Sequence, residues 1–166
     1  AFILCLLSKG PGMGSAIMCM FSGILITAAF IDARHMYIPD GIHVLILLLS
    51  CISLAAGSAP SLMNRLGGSL LTGGFLALVN LLSRGGVGWG DVKLFAASGL
   101  LIGAAPAMTA LLMGYVTAGL WYAVPLLRGR VGRKTQIPVA PFFAVSLMIC
   151  GLWFRQLLLW YLGFFR

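Results

Sequence analysis

Two aspartates stand out as residues able to do chemistry, because this chain of 166 residues holds only three acidic side chains, Asp32, Asp40 and Asp91. Asp32 and Asp91 lie at the ends of apolar stretches, in short junctions marked by proline or glycine. An ionisable carboxylate beside hydrocarbon costs roughly 2.5 to 3.5 kcal/mol at a helix centre on insertion scales, so its presence is a functional hypothesis by default. Two carboxyls a few ångströms apart cannot both ionise cheaply, so one keeps its proton while the other acts as general base on a shared water. The protonated partner can hydrogen-bond to a scissile carbonyl, and such a dyad hydrolyses a peptide with no covalent intermediate, metal or cofactor.

Asp32 belongs to the run Ile31-Asp32-Ala33-Arg34-His35-Met36-Tyr37-Ile38-Pro39-Asp40. It closes a predicted helix, where a negative charge opposes the helix dipole, so something must retain it there. The alternative to chemistry is a salt bridge to Arg34 or another arginine. Asp40 follows Pro39 and precedes an apolar run, which predicts a helix cap. Asp91 follows Gly85-Gly86-Val87-Gly88-Trp89-Gly90 and opens the next helix but one. Alone it too could be a cap, and the Gly-Lys-Ser/Thr ending of a phosphate loop is absent. His35 and His43 are too few and too separated from other ligands for a metal site, so loop and helix-surface roles are expected of them. Cys5, Cys19, Cys51 and Cys150 form no C-x-x-C pair, which supports neither zinc nor a disulfide framework.

The elements that must position the aspartates are membrane helices. Hydrophobic residues make up 61% of the chain and charged ones 8%, with a mean hydropathy of +1.07. No water-soluble domain of this size carries that composition without large exposed apolar patches. The apolar runs are too long and too uniform for period-2 alternation, so the fold class is all-α, a single domain over residues 1–166 built as a bundle of about six transmembrane helices. The predicted segments run from Met13 to Ile31, Ile42 to Gly57, Leu62 to Leu82, Asp91 to about Ala104, Pro106 to Leu127 and Pro138 to Gly163. The second and fourth are short for a full crossing, and the fourth is expected to start in the protein interior or to tilt against its neighbours instead of facing lipid along its whole length. The third carries Gly67, Gly68, Ser69, Gly73 and Gly74, which favour close helix packing. Pro125 is expected to kink or end the fifth helix. Ala1 to Leu7 lack the features of a secretory signal and read as the frayed start of the bundle or a truncated helix.

The net charge of +8 arises from cations in the gaps between apolar runs, so anionic lipids are expected partners and nucleic acid is not. Arg34, Arg84, Lys93, Arg128, Arg130, Arg133 and Lys134 fall in the odd-numbered connections, against Lys9, Arg65 and Arg166 near the opposite ends. The positive-inside tendency then turns both junction aspartates toward the cytoplasm. The cluster from Arg128 to Lys134 reads as a topology anchor, Arg155 as a snorkelling or paired cation, and Trp153, Trp160 and Tyr161 as an aromatic belt near the far face.

Three ordered motifs carry a family resemblance: Asp32 with five residues before Ile38-Pro39-Asp40, then Gly88-Trp89-Gly90-Asp91-Val92-Lys93-Leu94, then Ile137-Pro138-Val139-Ala140-Pro141-Phe142-Phe143-Ala144. The chain resembles a type IV prepilin peptidase, an intramembrane aspartic protease of the GxGD type. The resemblance implies Asp32 and Asp91 as the catalytic pair and supporting or substrate-positioning roles for Gly88, Gly90, Lys93, Pro39, Pro138 and Pro141. It also implies a prepilin or pseudopilin helix as substrate, cut after a short basic leader at the cytoplasmic face of the bacterial inner membrane. Longer members carry an N-terminal segment with paired cysteines associated with N-methylation. No such segment is expected here, because the chain resembles the short, peptidase-only branch of tight-adherence pilus systems.

Two other readings compete. A transporter or channel would use the aspartates in a cation or proton path, but it should place ionisable groups near the midplane, often in repeated halves, and no internal repeat is evident. A catalytically silent relative acting in assembly has no need to keep both aspartates.

Overall fold

The computed structural model describes residues 12–57, 60–128 and 138–164, and the regular secondary structure among them is all helical. Six helices follow one another: α1 (Met13–His35), α2 (Asp40–Ala55), α3 (Leu62–Leu82), α4 (Trp89–Ile102), α5 (Ala104–Leu127) and α6 (Ala140–Phe164). Hydrocarbon offers the backbone no hydrogen-bond partner, so an apolar chain satisfies its amides internally as helix. Four helices are long and apolar enough to cross a membrane, over Met13–His35, Leu62–Leu82, Ala104–Ala123 and Ala140–Gly163. The fold is a polytopic helical bundle, as the composition predicts.

The two short helices are a matter of length. At 16 and 14 residues, α2 and α4 reach only about 24 and 21 Å, less than the roughly 30 Å of a hydrocarbon core. α4 is sheathed by its neighbours, burying Asp91, Val92, Leu94, Phe95 and Ala97 through Gly99. The fourth segment is packed against its neighbours instead of facing lipid along its whole length, as predicted.

Close approach of α3 to α4 rests on two of the glycines that the sequence offered. A Cβ on Gly68 would stand 2.5 Å from the Gly99 carbonyl oxygen, and one on Gly73 would stand 2.7 Å from Ala96 Cβ. Gly67 and Gly74 meet nothing closer than 3.9 Å. Between the two contacts the Thr72 hydroxyl donates to the Phe95 carbonyl at 3.0 Å. Because backbone, not a movable side chain, faces Gly68, Gly68→Ala should cost about 1–3 kcal/mol of stability despite alanine's better helix propensity. A lowered thermal midpoint in detergent checks it, and an unchanged one would remove the contact from the account.

At the far end of α4, Arg65 lies near the start of α3, the helix end at which the sequence reading places it, and is 1% exposed. Its guanidinium donates to the carbonyls of Pro60 (2.9 Å) and Leu100 (3.2 Å) and to the Ser53 hydroxyl (2.8 Å). A cation against the last carbonyls of α4 satisfies acceptors that the helix leaves open and complements its dipole. Arg155, by contrast, is exposed, just past a break in α6 at Trp153 (φ −121°, ψ 16°). Pro125 lies within α5 two residues before its end.

The core beneath the aspartates is aromatic. Phe143 of α6 meets Phe95 of α4 edge-on at 4.9 Å and Tyr115 of α5 at 5.0 Å. Phe95 is one turn after Asp91 and Phe143 nearly one turn after Ala140, so these rings set how the ends of three helices meet.

Candidate active site

Asp32 lies in the last turn of α1, which stops at Met36 in a left-handed conformation (φ 52°) whose N–H closes on the Asp32 carbonyl at 2.8 Å. The side chain turns inward and is 8% exposed. Its carboxylate oxygen Oδ2 accepts the backbone N–H of Ala140 at 3.0 Å. Ala140 is the first residue of α6, so this N–H is one of the donors that a helix start leaves without an intrahelical acceptor. The retaining partner is thus the positive end of another helix, and among the described residues no ion pair joins Asp32 to Arg34 or any other cation.

Asp91 lies in the first turn of α4, 9% exposed. Its backbone N–H closes on the Gly88 carbonyl at 3.1 Å, and the capping position of α4 is Gly88, not Asp91. Asp32 and Asp91 stand within electrostatic reach of each other. Two of the three acidic residues, far apart in sequence, therefore lie near each other, buried at one end of the bundle.

The supporting positions fall around them. Gly88 is the residue before α4, with an ordinary φ of −65°; a Cβ there would stand 3.3 Å from Asp91 Oδ2. Room for the carboxylate, not backbone freedom, is what glycine supplies. A Cβ on Gly90 would press on Ile38 Cβ at 3.3 Å. Pro39 is the residue flanking the start of α2. Pro138 accepts the Tyr122 hydroxyl through its carbonyl at 3.4 Å, which steadies the chain entering α6. Pro141, in the first turn of α6, has no N–H to offer, leaving that of Ala140 as the one directed at Asp32.

Asp40 is not the cap that its place after proline predicts. Pro39 takes the flanking position and α2 begins at Asp40 itself, with no side-chain cap bond. The carboxylate reaches across to α4 and pairs with Lys93 Nζ at 2.7 Å. His43, expected on a helix surface, is 5% exposed, with Nε2 3.0 Å from the Gly90 carbonyl oxygen. Asn80, a lone amide in an apolar helix, is likewise buried; oriented to satisfy both its groups, it donates to the Val87 carbonyl (2.8 Å) and accepts the Trp89 indole N–H (3.2 Å). A polar residue isolated in an apolar run is a signal the sequence did contain. The Ala140 N–H had none, since a backbone amide belongs to every residue but proline.

The profile of the type IV leader peptidase family matches residues 19–123, a stretch that holds both buried aspartates and stops short of α6. The chain is similar to proteins named prepilin leader peptidase/N-methyltransferase. That of Bacillus subtilis is 29% identical over 149 residues, 86% of this chain and 58% of the relative. That of Legionella pneumophila is 30% identical over 146 residues (85% and 51%), and that of Aeromonas hydrophila 29% over 164 residues (94% and 56%). The chain spans about half the length of these curated relatives. No solved structure matches it. With the family profile covering well over half of its residues, the chain belongs to the type IV leader peptidase family.

Proposed function

We propose that the chain is an intramembrane aspartic endopeptidase in which Asp32 and Asp91 share one water and remove the leader from a type IV prepilin or pseudopilin. The observation that carries this reading is the presence of two nine-tenths-buried carboxylates at one end of an apolar bundle, close enough to influence each other electrostatically. The substrate class follows from the relatives, which are named for prepilin leader cleavage. In the reaction, one carboxylate takes a proton from water as the oxygen attacks the scissile carbonyl, and the other carboxyl gives its proton to the carbonyl oxygen. Collapse of the tetrahedral intermediate then returns a proton to the departing amine. The Ala140 N–H fixes the direction of Asp32, so water and substrate meet it in one pose.

The active end is the cytoplasmic one in this proposal. Arg34, Arg84, Lys93 and Arg128 lie at or beside the helix termini of that end, which fits the positive-inside tendency. A substrate helix would approach through the bilayer between the helices, its cut site reaching the aspartates at the rim.

The test is cleavage of a prepilin precursor in membranes by wild type, Asp32→Asn and Asp91→Asn, with leader release read on a gel and by mass. Release by wild type alone supports the reading; equal release by all three ends it. Gly88→Ala gives a finer check. Its methyl would push on Asp91 Oδ2 by a few tenths of an ångström, so cleavage should slow by about 3- to 10-fold with folding intact. Wild-type rate in that variant would mean the Asp91 carboxyl has slack.

A further inference from the structure

Two contacts and one ion pair join the start of α2 to the start of α4, and the reaction as described uses none of them. Ile38, 5% exposed, packs where Gly90 has no side chain. His43 places Nε2 3.0 Å from the Gly90 carbonyl oxygen. Asp40 pairs with Lys93 at 2.7 Å. We infer that these five residues form a clasp that sets Asp91 relative to Asp32, with His43 as the positioning residue that holds Asp91 through the Gly90 carbonyl. The inference rests on the peptidase reading above.

Burying an imidazole is costly without a hydrogen bond in return. A carbonyl oxygen only accepts, so the proton of the neutral ring sits on Nε2. Nδ1 is buried without a hydrogen bond, 3.5 Å from Asp40 Oδ1. The ring's one good bond is therefore to Gly90. That carbonyl shares a planar peptide unit with the N–H of Asp91, and the same N–H closes on Gly88 at 3.1 Å. Gripping the carbonyl grips the rigid plane from which the Asp91 Cα projects.

The other anchors prevent the motions that one bond leaves free. Ile38 against Gly90 fixes how near α4 comes to the connector. The Asp40–Lys93 pair, two residues past Asp91, opposes rotation of α4 about its axis. Asp32 lies six residues before Ile38 on the same stretch of chain, so the clasp links the two aspartates by a short path through α1's end, the connector and the Gly90–Asp91 peptide.

A residue that only fills the core would change stability, whereas a positioning residue changes kcat. His43→Leu should lower kcat for precursor cleavage by about 100-fold, the size associated with an ångström of misplacement, with KM within about twofold. His43→Gln, whose amide nitrogen can donate from nearly the same place, should recover to within about fivefold of wild type. Wild-type kcat in His43→Leu, or equal loss in both variants at equal thermal midpoints, overturns the clasp. Where His43→Leu fails to fold, charge reversal decides: Asp40→Lys and Lys93→Asp should each slow cleavage by about fivefold, and the double swap should restore it. No restoration counts against the clasp. Asp91→Asn run in parallel separates the two levels, since its loss of cleavage beside an active His43→Leu sinks the clasp alone, whereas cleavage by Asp91→Asn sinks the peptidase reading.

Discussion

Asp91→Asn and Asp32→Asn should each slow precursor cleavage by about 10²- to 10⁴-fold, the range lost with a general acid or base. Both exchanges keep the size and planarity of the side chain and remove only its ability to take up and give a proton. At position 32 the amide oxygen can still accept the Ala140 N–H, now bonded to the carboxylate at 3.0 Å, so α1 and α6 stay joined. At position 91 the exchange removes a charge that is costly to bury and that lies near a second carboxylate, so the variant should melt no lower than wild type. Loss of activity with stability held or raised is the signature of a dyad. Members of one proton-sharing unit also fail to add, so the double variant should be no slower than the slower single. A product of the two separate losses would mean that the aspartates act independently, and wild-type cleavage by either variant would remove that residue from the chemistry.

Much of this site could be read from residue types, and the unread part has a common cause. Apolar runs broken by glycine, proline and charge located the helices, with Leu62–Leu82 observed where it was predicted. The rarity of acid in an apolar chain singled out Asp32 and Asp91. What pairs with what was harder. The glycines of α3 were visible, but only packing reveals that Gly68 and Gly73 face α4 while Gly74 faces open space. Asp40 obeys the local rule for a cap until Lys93, distant in sequence, comes within 2.7 Å. Arg65 reads as a charge near a helix end until the carbonyls of Pro60 and Leu100 and the Ser53 hydroxyl surround it. In each case a tertiary partner overrides a local preference, and the partner's own residue type gives no notice of it.

Ala140→Pro should give the second large effect, against what helix rules alone predict. Proline is favoured at the first position of a helix because the N–H it lacks has no intrahelical acceptor, and α6 already carries Pro141 in its first turn. By that rule the substitution is benign. In this fold the N–H of Ala140 has a partner in another helix, Asp32 Oδ2, and the proline ring would put a methylene in place of the hydrogen. The carboxylate would lose a bond of the charged class, worth about 1.5–3 kcal/mol, and be pushed from its pose. Cleavage should fall by about 100-fold. Ala140→Gly keeps the N–H and loses only a methyl group, so it should stay within about fivefold of wild type and melt about 1 kcal/mol less stably. Wild-type cleavage by Ala140→Pro would show that the contact with α6 is incidental to Asp32. A loss confined to the proline variant would mean that the third motif contributes through its backbone, a role in which proline, glycine and small residues matter for the amide they leave or remove.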